Sequence, residues 1–157
     1  RMEKGVLITE THHGIRCANA GVDASNLPES NTVSLLPVNP DESACTLRKD
    51  VWKHTGAEVA VVISDTFGRP WREGATNVAI GVAGLLPLRD YRNQQDAYGT
   101  PLRTTMIAIA DELASAAELV TNKTTGIPTA IIRGYSYPFG EGRATQLLRG
   151  VDTDLFR

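Results

Sequence analysis

The stretch "EVAVVISDTFGRPWREG", Glu58 to Gly74, decides how the rest of the chain is read. Glu58 to Asp65 is a near-continuous apolar run with three valines and an isoleucine. That length and branching predict a strand covered on both faces rather than a short helix. Asp65 then falls at the strand's carboxyl end, where α/β proteins commonly place ligands. Thr66 follows it, and Gly68, Arg69, Arg72 and Gly74 come next.

Upstream, "NPDESACTLRKDVWKHTG" carries the signals of a helix. Asn39 can serve as N-cap, Pro40 as the first helical residue and Glu42 as the third-position acid of a capping box. Gly56 supplies a left-handed cap, and Ala44, Leu47 and Val51 share one face. Further upstream, Gly5 to Thr11 reads as a strand that turns through His12–Gly14 into "IRCANA", a hairpin. Thr32 to Pro37 reads as a short strand.

Downstream, Val78 to Leu88 is apolar, with Gly81 and Gly84 allowing close backbone approach. "TTMIAIADELASAAELV" divides into a strand through Ile109 and a helix from Asp111. Pro128 to Tyr135 reads as a strand and Glu141 to Gly150 as a short helix. Arg89 to Pro101 is a long loop, near the length at which loops become functional. Strands adjoin strands as well as helices, which predicts an α+β domain with a mixed sheet and flanking helices.

At 157 residues the chain is long enough for one domain. A net charge of −2 gives no pull toward nucleic acid or an anionic membrane. No apolar run reaches spanning length, and "RMEKGVLITE" lacks a secretory h-region. Cys17 and Cys45 are widely spaced, which disfavours a disulfide framework or zinc knuckle and makes a reducing cytoplasm the expected location. The chain opens on Arg1 and enters an apolar segment at once, so a piece of a longer protein is expected.

Several constellations could carry chemistry. In "NAGVDASN" the side-chain oxygens of Asn19, Asp23, Ser25 and Asn26 lie close together beside Gly21. They suit a hard cation such as Mg²⁺ or Mn²⁺, but the commoner outcome for such a segment is an Asx-turn that satisfies local amides. Asp65 and Thr66 could share a metal, with Arg69 and Arg72 meeting phosphate or carboxylate, or the arginines could pair with Asp65 and Glu73 at the surface. Arg89, Asp90, Arg92, Asp96 and Tyr98 would form either a substrate loop or a solvated loop of local ion pairs. Lys123, in "TNKTTG", could reach a phosphate, although a solvated polar turn after a helix is the commoner outcome for such a segment. Neither standard phosphate loop occurs, adjacent His12 and His13 suit no metal pair, and no G-x-S-x-G places a nucleophilic serine.

Together, "CANAGVDASN", "ISDTFGRPWREG", "NVAIGVAGLLPLRDYRNQQDAYG", "ADELASAAELV" and "GIPTAIIRG" resemble the coenzyme F420-0:L-glutamate ligases. These are GTP-dependent γ-glutamyl ligases of deazaflavin coenzyme biosynthesis. The resemblance runs in family order to about Gly134. It implies Asp23 as a divalent-metal ligand, Asn26 as a guanine-nucleotide contact, and Asp65 and Thr66 as a second pair of metal ligands. Two Mg²⁺ or Mn²⁺ ions, GTP, an acyl phosphate and a homodimer come with it. The family's segment before "GIP" touches GTP and can add an acidic metal ligand; here Lys123 stands near that place and no acid does. The family also carries an N-terminal segment ahead of "RMEKGVLITE", with part of the nucleotide site. Two other classes compete: a domain that binds metal and anion without turnover, and an interaction scaffold whose acid loops are only turns.

Overall fold

The computed structural model describes residues 2, 3 and 5–154. Strands β1 (Met2–Glu3), β2 (Val6–Glu10) and β3 (Arg16–Ala18) form an antiparallel sheet in sequence order. The hairpin expected at His12–Gly14 joins the last two, with Thr9 opposite Cys17. Helix α1 (Pro40–Thr55) follows. Strands β4 (Val61–Arg69) and β5 (Arg72–Ala83) make the long antiparallel hairpin around which the rest packs. The short strands β6 (Arg89–Asp90) and β7 (Met106–Ile107) pair with each other, and α2 (Ile109–Thr121) completes the regular elements. The α+β class holds, with the strands of the described residues in three separate antiparallel sheets.

Helix α1 begins and ends where its caps predict. The Asn39 side chain accepts from the Glu42 amide at 3.1 Å and donates to the Glu42 carboxylate, while Gly56 closes the helix in the left-handed region. Ala44 is fully buried on its inner face, but Leu47 is half exposed, so the buried stripe is narrower than its apolar spacing suggests. The Asp41 carboxylate, in the first turn, accepts from the amides of Val82 and Ala144 and ties the helix to β5 and to the C-terminal segment.

The core lies between β5 and α2: Ala79, Val82, Leu85, Ile109 and Ala110 are buried together, with Val62, Leu113 and Tyr137 packed against them. Gly81 is required there, because a Cβ would stand 2.4 Å from the Pro40 carbonyl oxygen; one at Gly84 would meet the Arg48 side chain. A polar stripe on α2 also faces β5. Asp111 accepts from the Ala79 amide, Ser115 donates to the Asn77 carbonyl, and Glu118 accepts from the Asn77 side chain. Burial raises the Asp111 carboxyl above the usual range.

Four expectations are corrected. β4 starts at Val61, runs four residues past Asp65 and is only half-buried, since among the described residues its one ladder partner is β5 and α2 packs mainly on the latter. Thr32 to Pro37 contributes one bridge, Ser34 to Asp23, instead of a strand. Pro128 to Tyr135 forms no regular element and joins no ladder among the described residues; β-rich composition does not supply a partner. Glu141 to Gly150 yields only a 3₁₀ turn at Ala144–Leu147. "TTMIAIADELASAAELV" does divide into a strand and a helix, but β7 is only Met106–Ile107 and α2 starts at Ile109, two residues before the expected Asp111.

Candidate metal and nucleotide site

Two segments approach one another to form the site. Asn19, Ala20 and Gly21 all take left-handed backbone angles, and Gly21 also lies so close to Leu36 that a Cβ would stand 2.7 Å from that side chain. This compact turn leads into Asp23, whose backbone exchanges both hydrogen bonds with Ser34. His12 and His13 donate from Nε2 to the carbonyls of Val38 and Pro37, pinning the far end of the same loop. The second segment is β4. A register shift between Ile63 and Ser64 sits just before Asp65, and such irregularities re-aim the side chains that follow.

The result is an open cleft of about 190 Å³ lined by Gly21, Asp23, Ser34, Ser64 and Asp65, with Leu36, Pro37, Ile63 and Ile80 among its apolar walls. Asp65 is half-buried. Burial chiefly, and then the charge of Asp23, raises its carboxyl above the usual range, against the Thr66 amide donating at 2.7 Å and the charge of Lys123. Asp23 is exposed; the Ser25 hydroxyl and amide donate to it at 2.6 and 2.9 Å and hold its carboxyl below the usual range. The Asx-turn therefore forms, and the same carboxylate also borders the cleft. Cys17, a buried free thiol, feels Asp65 as well, and burial followed by that charge raises its pKa.

Two carboxylates, one of them made costlier to charge by the other, together with the hydroxyls of Ser34 and Ser64, fit the chemistry of a hard divalent cation. No group of three or more His, Cys, Asp and Glu side chains among the described residues is placed to hold a metal. A divalent ion here would depend on the acid pair plus hydroxyl, carbonyl, water or ligand oxygens.

Beside the cleft, Lys123 donates to the Thr66 hydroxyl and lies 3.5 Å from the Glu118 carboxylate. The Thr66 hydroxyl donates in turn to Asn77 Oδ1 at 2.6 Å, and Asn77, almost fully buried, donates to Glu118 at 2.9 Å. Asn77 and Glu118 were missed by sequence reasoning. The available signal was helical spacing: Asp111, Ser115 and Glu118 share one face of an otherwise apolar helix.

The remaining candidates lie apart. Asn26 is exposed, in left-handed conformation, three residues beyond Asp23. Arg69 and Arg72 flank the hairpin turn, with Arg69 about 13 Å along the strand from Asp65 at the usual rise per residue. Arg69 spends its guanidinium on the carbonyls of Glu73 and Gly74. The long loop is ordered: Asp90 pairs with Arg92, which holds its carboxyl down to about 2, and Asp96 accepts from the amides of Tyr98 and Thr100. Tyr98 is almost wholly exposed. None of these residues lines the cleft.

No helix among the described residues is long and apolar enough to cross a membrane. The family model described as F420-0:Gamma-glutamyl ligase matches residues 1–134. A protein of Methanocaldococcus jannaschii named coenzyme F420:L-glutamate ligase is 49% identical over 158 residues, covering 100% of this chain and 63% of the relative. One of the same name from Methanothermobacter thermautotrophicus is 47% identical over 162 residues, again 100% and 63% of the two chains. A third, from Methanococcus maripaludis, is 45% identical over 158 residues with the same coverage. The chain thus spans 63% of the length of these relatives. A match of this extent, over the segments that build the cleft, shows that the chain belongs to the F420-0:Gamma-glutamyl ligase family.

Proposed function

We propose that this chain carries the metal-binding half of a ligase that joins L-glutamate to the deazaflavin precursor F420-0 at the expense of GTP. The observation that carries the reading is the convergence of Asp23 and Asp65 on one cleft in a chain of this family. A carboxylate of F420-0 is a poor electrophile. Transfer of the γ-phosphoryl group of GTP to its oxygen releases GDP and leaves an acyl phosphate. The amine of L-glutamate then attacks the acyl carbon, phosphate departs, and the amine proton is lost as the amide forms.

A bound Mg²⁺ or Mn²⁺ supplies charge neutralisation to the phosphates. Asp23 and Asp65 hold it, and Thr66 stands beside them. Asn26 contacts the nucleotide and Lys123 a phosphate. Arg69 and Arg72, at the hairpin turn, serve phosphate or carboxylate groups of a ligand that extends out along β4. The protein works in the cytoplasm as a homodimer.

The test incubates the chain with F420-0, L-glutamate, GTP and Mn²⁺, with the full-length M. jannaschii relative as positive control. The expected result is a product heavier by one glutamyl unit, with GDP released in equal amount. Binding of Mn²⁺ and GTP without product, while the control turns over, would favour the non-catalytic binding domain instead.

A further inference from the structure

Family resemblance implies two divalent ions, but a cation already stands on Thr66, immediately beside the cleft. Lys123 lies just beyond the C-terminal end of α2, and its ammonium donates to Thr66 Oγ1. It is seated by a chain of hydrogen bonds that starts from a buried side chain. Asn77 fixes both the Thr66 hydroxyl, which it accepts from, and the Glu118 carboxylate, to which it donates. Glu118 in turn lies 3.5 Å from the ammonium. A metal ion on Thr66 Oγ1 would share that oxygen with Lys123 and be repelled by it. Half of the Lys123 side chain remains exposed, so donors are left for an anion outside.

We propose that the Lys123 ammonium supplies the positive charge a second divalent ion would bring. The cleft then takes one divalent cation per chain, on Asp23 and Asp65, and presents Lys123 as its other cation to the phosphates. This rests on the metal reading given above. Charge balance agrees: one divalent ion neutralises Asp23, Asp65 and Glu118 together with the lysine. Thr66 acts in this arrangement as the acceptor that positions the ammonium.

The experiment counts bound Mn²⁺ by the loss of the free-ion electron paramagnetic resonance signal as Mn²⁺ alone is titrated into the chain. The parent chain is expected to bind one ion. Lys123→Glu, which replaces the cation by a carboxylate beside Thr66, is expected to bind two. Lys123→Met keeps the bulk and removes the charge; it is expected to bind one ion about tenfold more tightly, the order of the relief from removing one nearby like charge in a water-like dielectric. This second variant decides the matter if Lys123→Glu fails to fold. Two ions on the parent chain, or an unchanged affinity in Lys123→Met, would overturn the lysine's role while leaving the metal reading intact. No binding by any of the three would remove both.

Discussion

Asp65→Asn loses metal binding without losing the fold. The substitution keeps an oxygen to accept from the Thr66 amide, which now bonds Asp65 Oδ1 at 2.7 Å, and it preserves the side chain's shape. What it removes is a half-buried charge whose carboxyl burial and Asp23 already push above the usual range. The metal-free variant is therefore expected to unfold at the parent temperature or slightly above it. With Asp23 as the sole carboxylate left on the cleft, Mn²⁺ affinity falls at least a hundredfold. Glutamate ligation, measured in the same variant of the full-length relative, falls about a thousandfold, the equivalent of ~4 kcal/mol of transition-state stabilisation. Calorimetric titration and steady-state rates check the two claims. Unchanged Mn²⁺ affinity would remove Asp65 from the site.

Gly81→Ala carries a large expected loss of stability. A methyl group at this position meets the Pro40 carbonyl oxygen at 2.4 Å, its carbon at 2.5 Å and the proline Cβ at 2.7 Å. These are mostly backbone atoms at the first turn of α1, and no rotamer change can clear them. The turn is also anchored on the same strand, through Asp41 and the Val82 amide. Relief therefore requires α1 to move off β5. The expected cost is about 3 kcal/mol, at the upper end for overpacking. Thermal unfolding would record it as a fall of ~6–12 °C for a chain of this size. Gly68→Ala is the control: nothing lies within 4 Å of a Cβ there, and the effect should stay within about 0.5 kcal/mol. Equal midpoints for the two variants would contradict the packing described for α1 on β5.

What the sequence discloses about this fold is local. The caps of α1 rest on Asn39, Pro40 and Gly56, each of which acts within one turn of itself, and both ends fall where they are expected. The β2–β3 hairpin is likewise set by a short turn. Pairing over distance is harder to read. Thr32 to Pro37 and Pro128 to Tyr135 have strand composition, but a ladder needs a partner that composition does not name. The end of β4 was misplaced because Asp65 looks like a terminus, whereas its strand continues through Thr66 and Phe67 toward the exposed turn.

The site divides in the same way. Asp23 and Asp65 were legible as chemistry, since each acid stands among small and oxygen-bearing residues. Their convergence was not, because it depends on the Asn19–Gly21 turn and on the Ser34 bridge. Lys123 was legible only as a cation in a polar turn that could reach a phosphate, and family likeness put it near the nucleotide. Its seat on Thr66, with Asn77 and Glu118 behind it, appears only when α2 is laid on β5.

The most direct test of the cleft is paramagnetic broadening of the chain's amide resonances by substoichiometric Mn²⁺. The signals of Gly21, Asp23, Ser34, Ser64 and Asp65 are expected to disappear first, while those of the acidic loop around Asp90 and Asp96 persist. Broadening centred on that loop, or spread evenly over the exposed acids, would contradict the cleft as the metal site.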